Sequence, residues 1–442
     1  MSKKRNRRMV ELGKDILIVL LACSAIYMGA NALVVGGLSG LFQKNDPQSA
    51  GVVTQQESSG VAWPVRMVIS NWNGETMVRY GVQYDRAECE AQFQPVASLL
   101  RETLSSLGVA QVVSAREIQW ALEENSSIYF DLLGEVPLSV LSGWLTGSEG
   151  VHSQNGTVRR LILTAEGKNV FLYYKDLMTG VYYMRTTEVV SVEQVHAVTD
   201  AVVGNGAQFA FEAEGYEYLD GYTLLLPEPP VPEVYIASNP VEGEQQAEML
   251  EQNTNLGKLL RALSFPDNSY FYSGIDQVIR SGNDTLRISR QGMVRYNAAE
   301  GENSRYQVDS PTGQPTIYQV AEGCRRLAAD SLGELAGEAR LYLKEIRQIQ
   351  TGWRVEFGYC LDGANVLVGD AGYAAHFVVE GDQITQFAMQ LRSYTKAGEQ
   401  NIVLPEQQAL AAMQALGQRG SELMLSYHDQ GGSRIGAVWT AN

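Results

Sequence analysis

The sequence contains few of the residues from which small disulfide-rich or metal-binding domains are built. It has only four cysteines and four histidines in 442 residues. Cys23 lies in an apolar segment. Cys89, Cys324 and Cys360 are widely separated and form no CxxC pair or Cys/His cluster, which excludes a disulfide framework and a zinc finger. At least one of these three must be unpaired within the chain, and buried free thiols are expected for Cys324 and Cys360, which fall on predicted core faces.

Motifs that carry catalysis are also missing. The sequence has no GxSxG elbow, no P-loop, no HExxH and no DxDxDG calcium pattern. The segment "SYTK", from Ser393 to Lys396, matches SxxK, but Ser393 is predicted to end a strand, whereas the serine of that motif opens a helix. We therefore expect a protein that is not an enzyme, with no catalytic residues, no cofactor and no metal site.

Positive charge is scarce outside the N-terminus. The chain has 34 Lys and Arg against 50 Asp and Glu, a net charge of −16. Residues 1–15 hold six bases and two acids, so the remainder carries a net charge of −20. A body of this charge repels nucleic acid, and no nucleic-acid partner is expected.

The longest uncharged apolar run follows the basic tail directly. No charged residue occurs from Ile16 to Phe42. About 20 apolar residues in a helix span a hydrocarbon core of about 30 Å, and a basic flank stays in the cytoplasm. The pattern predicts a cell-membrane protein with a cytoplasmic tail (1–15), a single-pass signal anchor (16–42) and an extracytoplasmic body. Two alternatives are cleavage after Ala32 and a lipoprotein box that ends at Cys23.

Small residues recur within this predicted anchor. Their spacing of three and four places Ala22, Ala25, Gly29, Ala32 and Gly36 on one side of a helix. In lipid, helices associate where small side chains allow their backbones to approach closely. The spacing predicts a face that packs against a partner helix.

The rest of the chain is too long for one core and is predicted to contain several domains. Residues 43–62 are polar and are expected to form a flexible stalk. Turn signals and apolar patterns then predict a first α+β domain (63–230), a small middle domain (231–310) and a C-terminal α+β domain (311–442). The Pro-rich segment Leu226–Val234 marks the first of these boundaries. The predicted fold class is α+β, with antiparallel sheets packed with helices.

Several elements are predicted individually. Two strands, "RMVISNW" and "TMVRYGVQY", should form a hairpin about Asn73 and Gly74, and "TLRISRQGMVRY" should form a second hairpin about Gln291 and Gly292. A helical pattern that follows Asp85 should end at Gly108, and Pro95 interrupts it. An apolar stripe that starts at Ile317 predicts a helix closed by Gly333. Four strands should follow that helix, and a second helix should start at Pro405.

The layout and several segments resemble the YycH/YycI-type regulatory proteins of the YycFG (WalRK) two-component system. The segments are "IYFDLLGEVPLSVLSGWL", "WRVEFGYCLDG", "LRSYTKAGEQNIVLPEQQAL" and the closing Trp439. The resemblance covers most of the chain. It implies a membrane-anchored accessory protein of Gram-positive bacteria that binds a sensor histidine kinase, and a paralogous regulator as a further partner. It also implies a role in cell-wall metabolism, and it supplies no catalytic residues.

Three functions are open on the sequence. The first is a regulator of a sensor histidine kinase that acts through protein–protein contacts. The second is a tethered extracytoplasmic enzyme or binding module for cell-wall material, for which the apolar helix is only an anchor. The third is a structural subunit of an envelope or sporulation complex. Replacing residues 16–36 with an unrelated poly-Leu span should abolish the first function and leave the second intact.

Overall fold

The computed structural model describes residues 62–147, 156–243, 254–265, 270–273, 276–299, 303–417 and 420–441. These residues belong to one compact unit that begins at Thr54. None of the helices in these ranges has both the length and the apolar composition needed to cross a membrane. The predicted tail, the predicted anchor and the stalk up to residue 61 lie outside the described residues.

The described chain consists of many short strands and a smaller number of helices. The strands are β1 (Arg66–Trp72), β2 (Met77–Gln83), β3 (Gln111–Val113), β4 (Ser126–Pro137), β5 (Thr157–Glu166), β6 (Asn169–Lys175), β7 (Tyr182–Thr187), β8 (Gln208–Phe209), β9 (Leu224–Leu225), β10 (Glu233–Ser238), β11 (Tyr270–Ser273), β12 (Asp276–Ser281), β13 (Asp284–Ser289), β14 (Met293–Asn297), β15 (Arg340–Ile349), β16 (Gly352–Leu361), β17 (Ala364–Val368), β18 (Ala375–Glu380), β19 (Gln383–Gln390), β20 (Ser393–Gln400), β21 (Leu423–Asp429), β22 (Arg434–Ile435) and β23 (Ala437–Ala441). The helices are α1 (Arg86–Phe93), α2 (Ala97–Ser105), α3 (Ala115–Glu124), α4 (Leu138–Thr146), α5 (Val192–Thr199), α6 (Asn255–Ala262), α7 (Ile317–Leu332) and α8 (Glu406–Ala415).

The first sheet has seven antiparallel strands in the order β2-β1-β4-β5-β6-β7-β3. The predicted hairpin between β1 and β2 is confirmed. The Asn73 side chain accepts hydrogen bonds from the amides of Glu75 and Thr76, at 3.0 and 2.9 Å, and Gly74 takes the positive φ of +93° that its turn requires.

Both faces of this sheet are covered. Helices α1 and α5 pack on one face, where they help to bury Met67, Phe130 and Leu161. Helix α3 packs on the other face, where Tyr129 and Ile162 are buried. A strand that is covered on both sides needs apolar residues at successive positions. This explains why β4 is buried almost throughout and why its sequence, "IYFDLL", shows no alternation.

The second sheet has eleven strands. Its main order is β11-β12-β13-β14-β19-β18-β16-β17-β21-β23, and β15 pairs with β16. The predicted hairpin of β13 and β14 is confirmed, and β14 pairs with β19. The predicted domain boundary at residue 310 remains a prediction, although strands from both sides of it share this sheet. The pairing of β17 with β21 is parallel, which departs from the predicted antiparallel arrangement.

Helix α7 is the predicted helix that begins at Ile317, and it is confirmed to its last turn. The Thr316 hydroxyl caps its first turn by accepting from the Gln319 amide, and Gly333 follows its last residue. The helix packs on the second sheet and on α4. There the Trp144 indole donates to the Glu322 carboxylate at 2.9 Å. The N-terminal half of the body, which carries the first sheet and α4, and the C-terminal half, which carries the second sheet and α7, therefore share a buried contact.

The predicted interruption at Pro95 is confirmed, because the helix that follows Asp85 is broken at Gln94–Val96, and its second part ends at Ser105. The prediction that Gly108 ends this helix is therefore wrong, because the Gly108 amide instead donates to the Thr186 carbonyl at 2.8 Å. Strand β17 was not predicted, because its short segment follows the Asp362–Gly363 turn directly and reads as a loop between two longer strands.

The three outer cysteines are free and buried. Burial at Cys324 and Cys360 is the predicted outcome. Burial raises the pKa of the Cys89 thiol to about 12 and that of the Cys360 thiol to about 11. These thiols are therefore protonated at neutral pH, and a protonated thiol is a poor nucleophile.

Candidate functional site

Five charged side chains meet where the first sheet faces the start of β21. We call them the arginine–carboxylate cluster, and they are Arg66, Asp131, Arg159, Arg160 and Glu422. Asp131 is fully buried, and Arg66 and Glu422 are 3% and 4% exposed. Charged groups are stable at such depth only when they are paired and hydrogen-bonded.

A bulge in β4 makes the cluster possible. Asp131 pairs with Arg160, but the next pair is Val136 with Val158, so residues 132–135 bulge opposite the single residue Arg159. In a regular strand, consecutive side chains point to opposite faces. The irregular backbone allows the neighbours Arg159 and Arg160 to reach the same carboxylates.

Asp131 also shapes the bulge that surrounds it. Its Oδ1 atom accepts from the Leu133 amide at 2.9 Å, and Leu133 takes a positive φ of +69°. Both Asp131 oxygens accept from Arg159, with Nε–Oδ1 and Nη2–Oδ2 distances of 2.9 Å. Such a bidentate pair fixes geometry as well as charge. Arg66 approaches the same carboxylate from β1, with an Nη1–Oδ2 distance of 3.4 Å.

Glu422 brings the C-terminal half of the chain into the cluster. Its carboxylate accepts from Arg66, from Arg159 Nη1 at 2.7 Å and from Arg160 Nη2 at 2.8 Å. Arg160 Nη1 also donates to Asp220 at 2.6 Å. With Asp220 included, three guanidinium groups face three carboxylates, so the charges balance.

The guanidinium groups keep the two buried carboxylates ionised. Burial would raise the pKa of Asp131, but Arg159 and Arg66 hold that pKa below its usual value. Burial would also raise the pKa of Glu422, but the three arginines hold that pKa well below its usual range. A carboxylate with a lowered pKa is a poor general base at neutral pH. The cluster is therefore suited to holding segments together and to setting the local electrostatic field.

A cavity of about 220 Å³ adjoins the cluster. The residues that line it are Ile118, Tyr129, Arg159, Arg160, Ile162, Tyr174, Lys175, Leu177, Tyr182, Asp220, Tyr222, Gly420 and Glu422. It lies beside the α3-covered face of the first sheet. The segments around Asp220 and Glu422 border it together, since the Asp220 amide donates to the Ser421 carbonyl at 3.0 Å.

The second surface feature is an apolar groove of about 450 Å³. We call it the α8 groove; it is formed by residues 402–404, helix α8 and strand β23. Ile402 is 97% exposed and Leu416 is 77% exposed. Strand β23 is the last strand of its sheet, and the Trp439 indole on it donates to the Leu404 carbonyl at 2.8 Å. Contiguous exposed apolar residues are typical of protein interaction surfaces.

Of the residues that the sequence singled out, Trp439 lines the α8 groove, whereas Ser393 begins β20 and does not end a strand as predicted. The predicted packing face of Ala22, Ala25, Gly29, Ala32 and Gly36 lies outside the described residues. Within the described ranges, no group of three or more His, Cys, Asp or Glu side chains is placed to hold a metal ion.

One feature of the sequence indicated the cluster, although it belongs to none of the motifs discussed above. Asp131 is the only charged residue within the apolar run "IYFDLL", and a charged residue in a buried strand requires a partner. The double arginine at the start of "RRLILT" belongs to the next strand of the sheet. Glu422, by contrast, lies 356 residues from Arg66 and carries no local signal.

No protein-family model and no curated protein matches the sequence. Among solved structures, the chain is similar to the crystal structure of YycH from Bacillus subtilis, with a TM-score of 0.51. The fold is YycH-like. The similarity covers 86% of this chain and 94% of the YycH chain, at 11% sequence identity.

The likeness to YycH bears on the fold that the sequence predicted. It confirms the α+β class with antiparallel sheets and helices, and it agrees with the YycH side of the YycH/YycI-type resemblance. Because it extends over most of both chains, the likeness concerns the whole arrangement of the body and not a single common sheet.

Proposed function

We propose that this protein is a membrane-anchored extracytoplasmic accessory protein that regulates a sensor histidine kinase through protein–protein contacts. The kinase belongs to a two-component system that controls cell-wall metabolism, and a paralogous regulator is a further partner. The observation that carries this proposal is the YycH-like fold, which extends over 86% of the chain. The segments that resemble YycH/YycI-type proteins give independent support from the sequence.

One part of the proposed contact lies in the bilayer. The uncharged run from residue 16 to 42 is long enough to span it, and its small residues from Ala22 to Gly36 recur on one side of a helix. A partner helix that packs on this side would couple the two proteins within the membrane.

The other part lies on the body, at the α8 groove. Its exposed aliphatic side chains suit an apolar segment of the extracytoplasmic region of the kinase. Strand β23 closes one end of the sheet, so its outer edge supplies backbone groups with which an extended segment can pair.

Capture of the kinase tests the proposal. Full-length protein and full-length kinase are co-expressed and purified in detergent, and the captured kinase is quantified. Replacing residues 16–36 with a poly-Leu span should lower capture at least about fivefold, because the close approach of two helices is lost. Ile402→Glu should lower capture to a similar extent, because it places a charge in an apolar contact.

The matched control is Val203→Glu. Val203 is 83% exposed, lies in a loop and does not line the α8 groove, so this variant should capture as much kinase as the unchanged protein. Failure of the unchanged protein to capture the kinase would contradict the proposal. Full capture by both the poly-Leu and the Ile402→Glu proteins would also contradict it, since neither proposed contact would then matter.

A further inference from the structure

The cavity beside the arginine–carboxylate cluster has walls that suit a small ring. Tyr129, Tyr174, Tyr182 and Tyr222 contribute four aromatic side chains, and Ile118, Ile162 and Leu177 add aliphatic surface. Aromatic faces bind both aromatic rings and the apolar faces of sugar rings. The volume of about 220 Å³ is below the range of about 300–1,000 Å³ that holds drug-sized ligands, so the occupant must be smaller.

One cation at the cavity is not committed to a carboxylate. Lys175 is exposed at the end of β6, and its ammonium lies 5.4 Å from the centre of the Tyr182 ring. No carboxylate within the described part of the chain forms an ion pair with it. The guanidinium groups of Arg159 and Arg160, in contrast, are occupied by the cluster carboxylates and by Asp220.

The charges that line the cavity restrict what can bind. Among the lining residues that the structure describes, Arg159, Arg160 and Lys175 oppose Asp220 and Glu422, which leaves one net positive charge. A cation would be repelled by the free ammonium. A dianion such as phosphate would meet two carboxylates for only one uncommitted positive charge. A single carboxylate matches this balance.

We propose that this cavity binds a small ring-bearing carboxylate, with the carboxylate at Lys175 and the ring among the tyrosines. The Tyr222 hydroxyl is buried and has no hydrogen-bond partner in the described structure, so it is available as a donor to a polar group on the ring. This binding concerns the cavity alone. It goes beyond the proposed regulation of a kinase and does not depend on it.

Calorimetric titration of the full-length protein in detergent micelles tests the proposal. The probes are 4-hydroxyphenylacetate and D-glucuronate, each with a neutral counterpart, 4-methylphenol and D-glucose. At least one carboxylate should bind, and its counterpart should bind about five- to tenfold more weakly, because a hydrogen bond to a charged group is lost. Which carboxylate binds shows whether the ring is aromatic or a sugar.

Two variants assign the binding to this cavity. Lys175→Met keeps the aliphatic stem and should lower the affinity for the carboxylate to that of its neutral counterpart. Leu177→Trp narrows the cavity and should weaken both. The control, Lys168→Met, removes an exposed lysine at the opposite end of β6 and should change neither affinity.

Two results would overturn the proposal. One is that neither carboxylate binds to the unchanged protein. The other is that a carboxylate binds as tightly to the Lys175→Met protein as to the Lys168→Met protein. Both can be obtained without the kinase, so failure here is distinct from failure of the kinase capture.

Discussion

Glu422→Gln should lower the free energy of unfolding by about 3–5 kcal/mol, the cost of removing one partner from a buried ion pair. Glu422 is 4% exposed, and its carboxylate accepts from Arg66, Arg159 and Arg160. A neutral amide leaves three guanidinium groups facing only Asp131 and Asp220. Denaturant titration of the full-length protein, followed by tryptophan fluorescence, measures the change. All six tryptophans lie after residue 62 and report on the body.

The matched control is Glu399→Gln, which removes the carboxylate of the pair with Arg434. The side chains of that pair are 60% and 53% exposed, and exposed pairs contribute about 1 kcal/mol or less. If the two variants lose equal stability, the buried cluster does not join the two halves of the body as described.

The Glu422→Gln substitution should also change how the free energy of unfolding depends on pH. The pKa values of Glu422 and Asp131 are both lower in the folded protein than in the unfolded chain. Their contribution to the free energy of unfolding is therefore fully present above the pKa values of the unfolded chain, about 4, and is lost as the pH falls through the pKa values of the folded protein. The Glu422→Gln protein lacks one of these groups, and its stability should therefore fall less steeply below about pH 4.

Gly134→Ala should cost about 3 kcal/mol, at the upper end of what overpacking costs. Gly134 lies in the β4 bulge, and a Cβ atom there would overlap the carbonyl oxygen of Leu343 on β15 and lie 2.9 Å from its carbon. The two nearest atoms are backbone atoms of Leu343, so the movement of a side chain cannot relieve the overlap. The same denaturant titration measures the loss.

Gly432→Ala is the control, because the nearest atom to its Cβ is the Arg434 carbonyl oxygen at 3.8 Å. Its free energy of unfolding should change by about 0.5 kcal/mol or less. If Gly134→Ala loses no more stability than Gly432→Ala, the β4 bulge and β15 do not approach each other as closely as the structure shows.

The arginine–carboxylate cluster and Gly134 show how the two halves of the body are joined. The β4 bulge holds Asp131 in the cluster on one side and touches β15 through Gly134 on the other. A ligand in the neighbouring cavity would contact residues of both halves, since Tyr129 and Glu422 both line it.

Local sequence signals predicted the elements that depend on nearby residues. Helix α7 has its capping threonine, its apolar stripe and its closing glycine within one segment, and the hairpins carry their turns at Asn73–Gly74 and Gln291–Gly292. Each of these depends on contacts within about 20 residues, which periodicity and turn chemistry report directly.

The candidate site could not be predicted in the same way. It joins Arg66, Asp131 and Glu422, which belong to separate parts of the chain and meet only after the two halves pack. The bulge that turns Arg159 toward Asp131 also breaks the alternation on which strand predictions rest. Only the isolated charge of Asp131 in an apolar run pointed to a buried partner.

The autophosphorylation rate of the full-length kinase in lipid vesicles, with and without this full-length protein, tests regulation by contact most directly. The protein should change the rate at least about fivefold, in a saturable manner, as expected for a coupling of about 1 kcal/mol or more. The poly-Leu protein should produce a smaller change. A rate that stays constant at saturating amounts of the unchanged protein would contradict the proposed function.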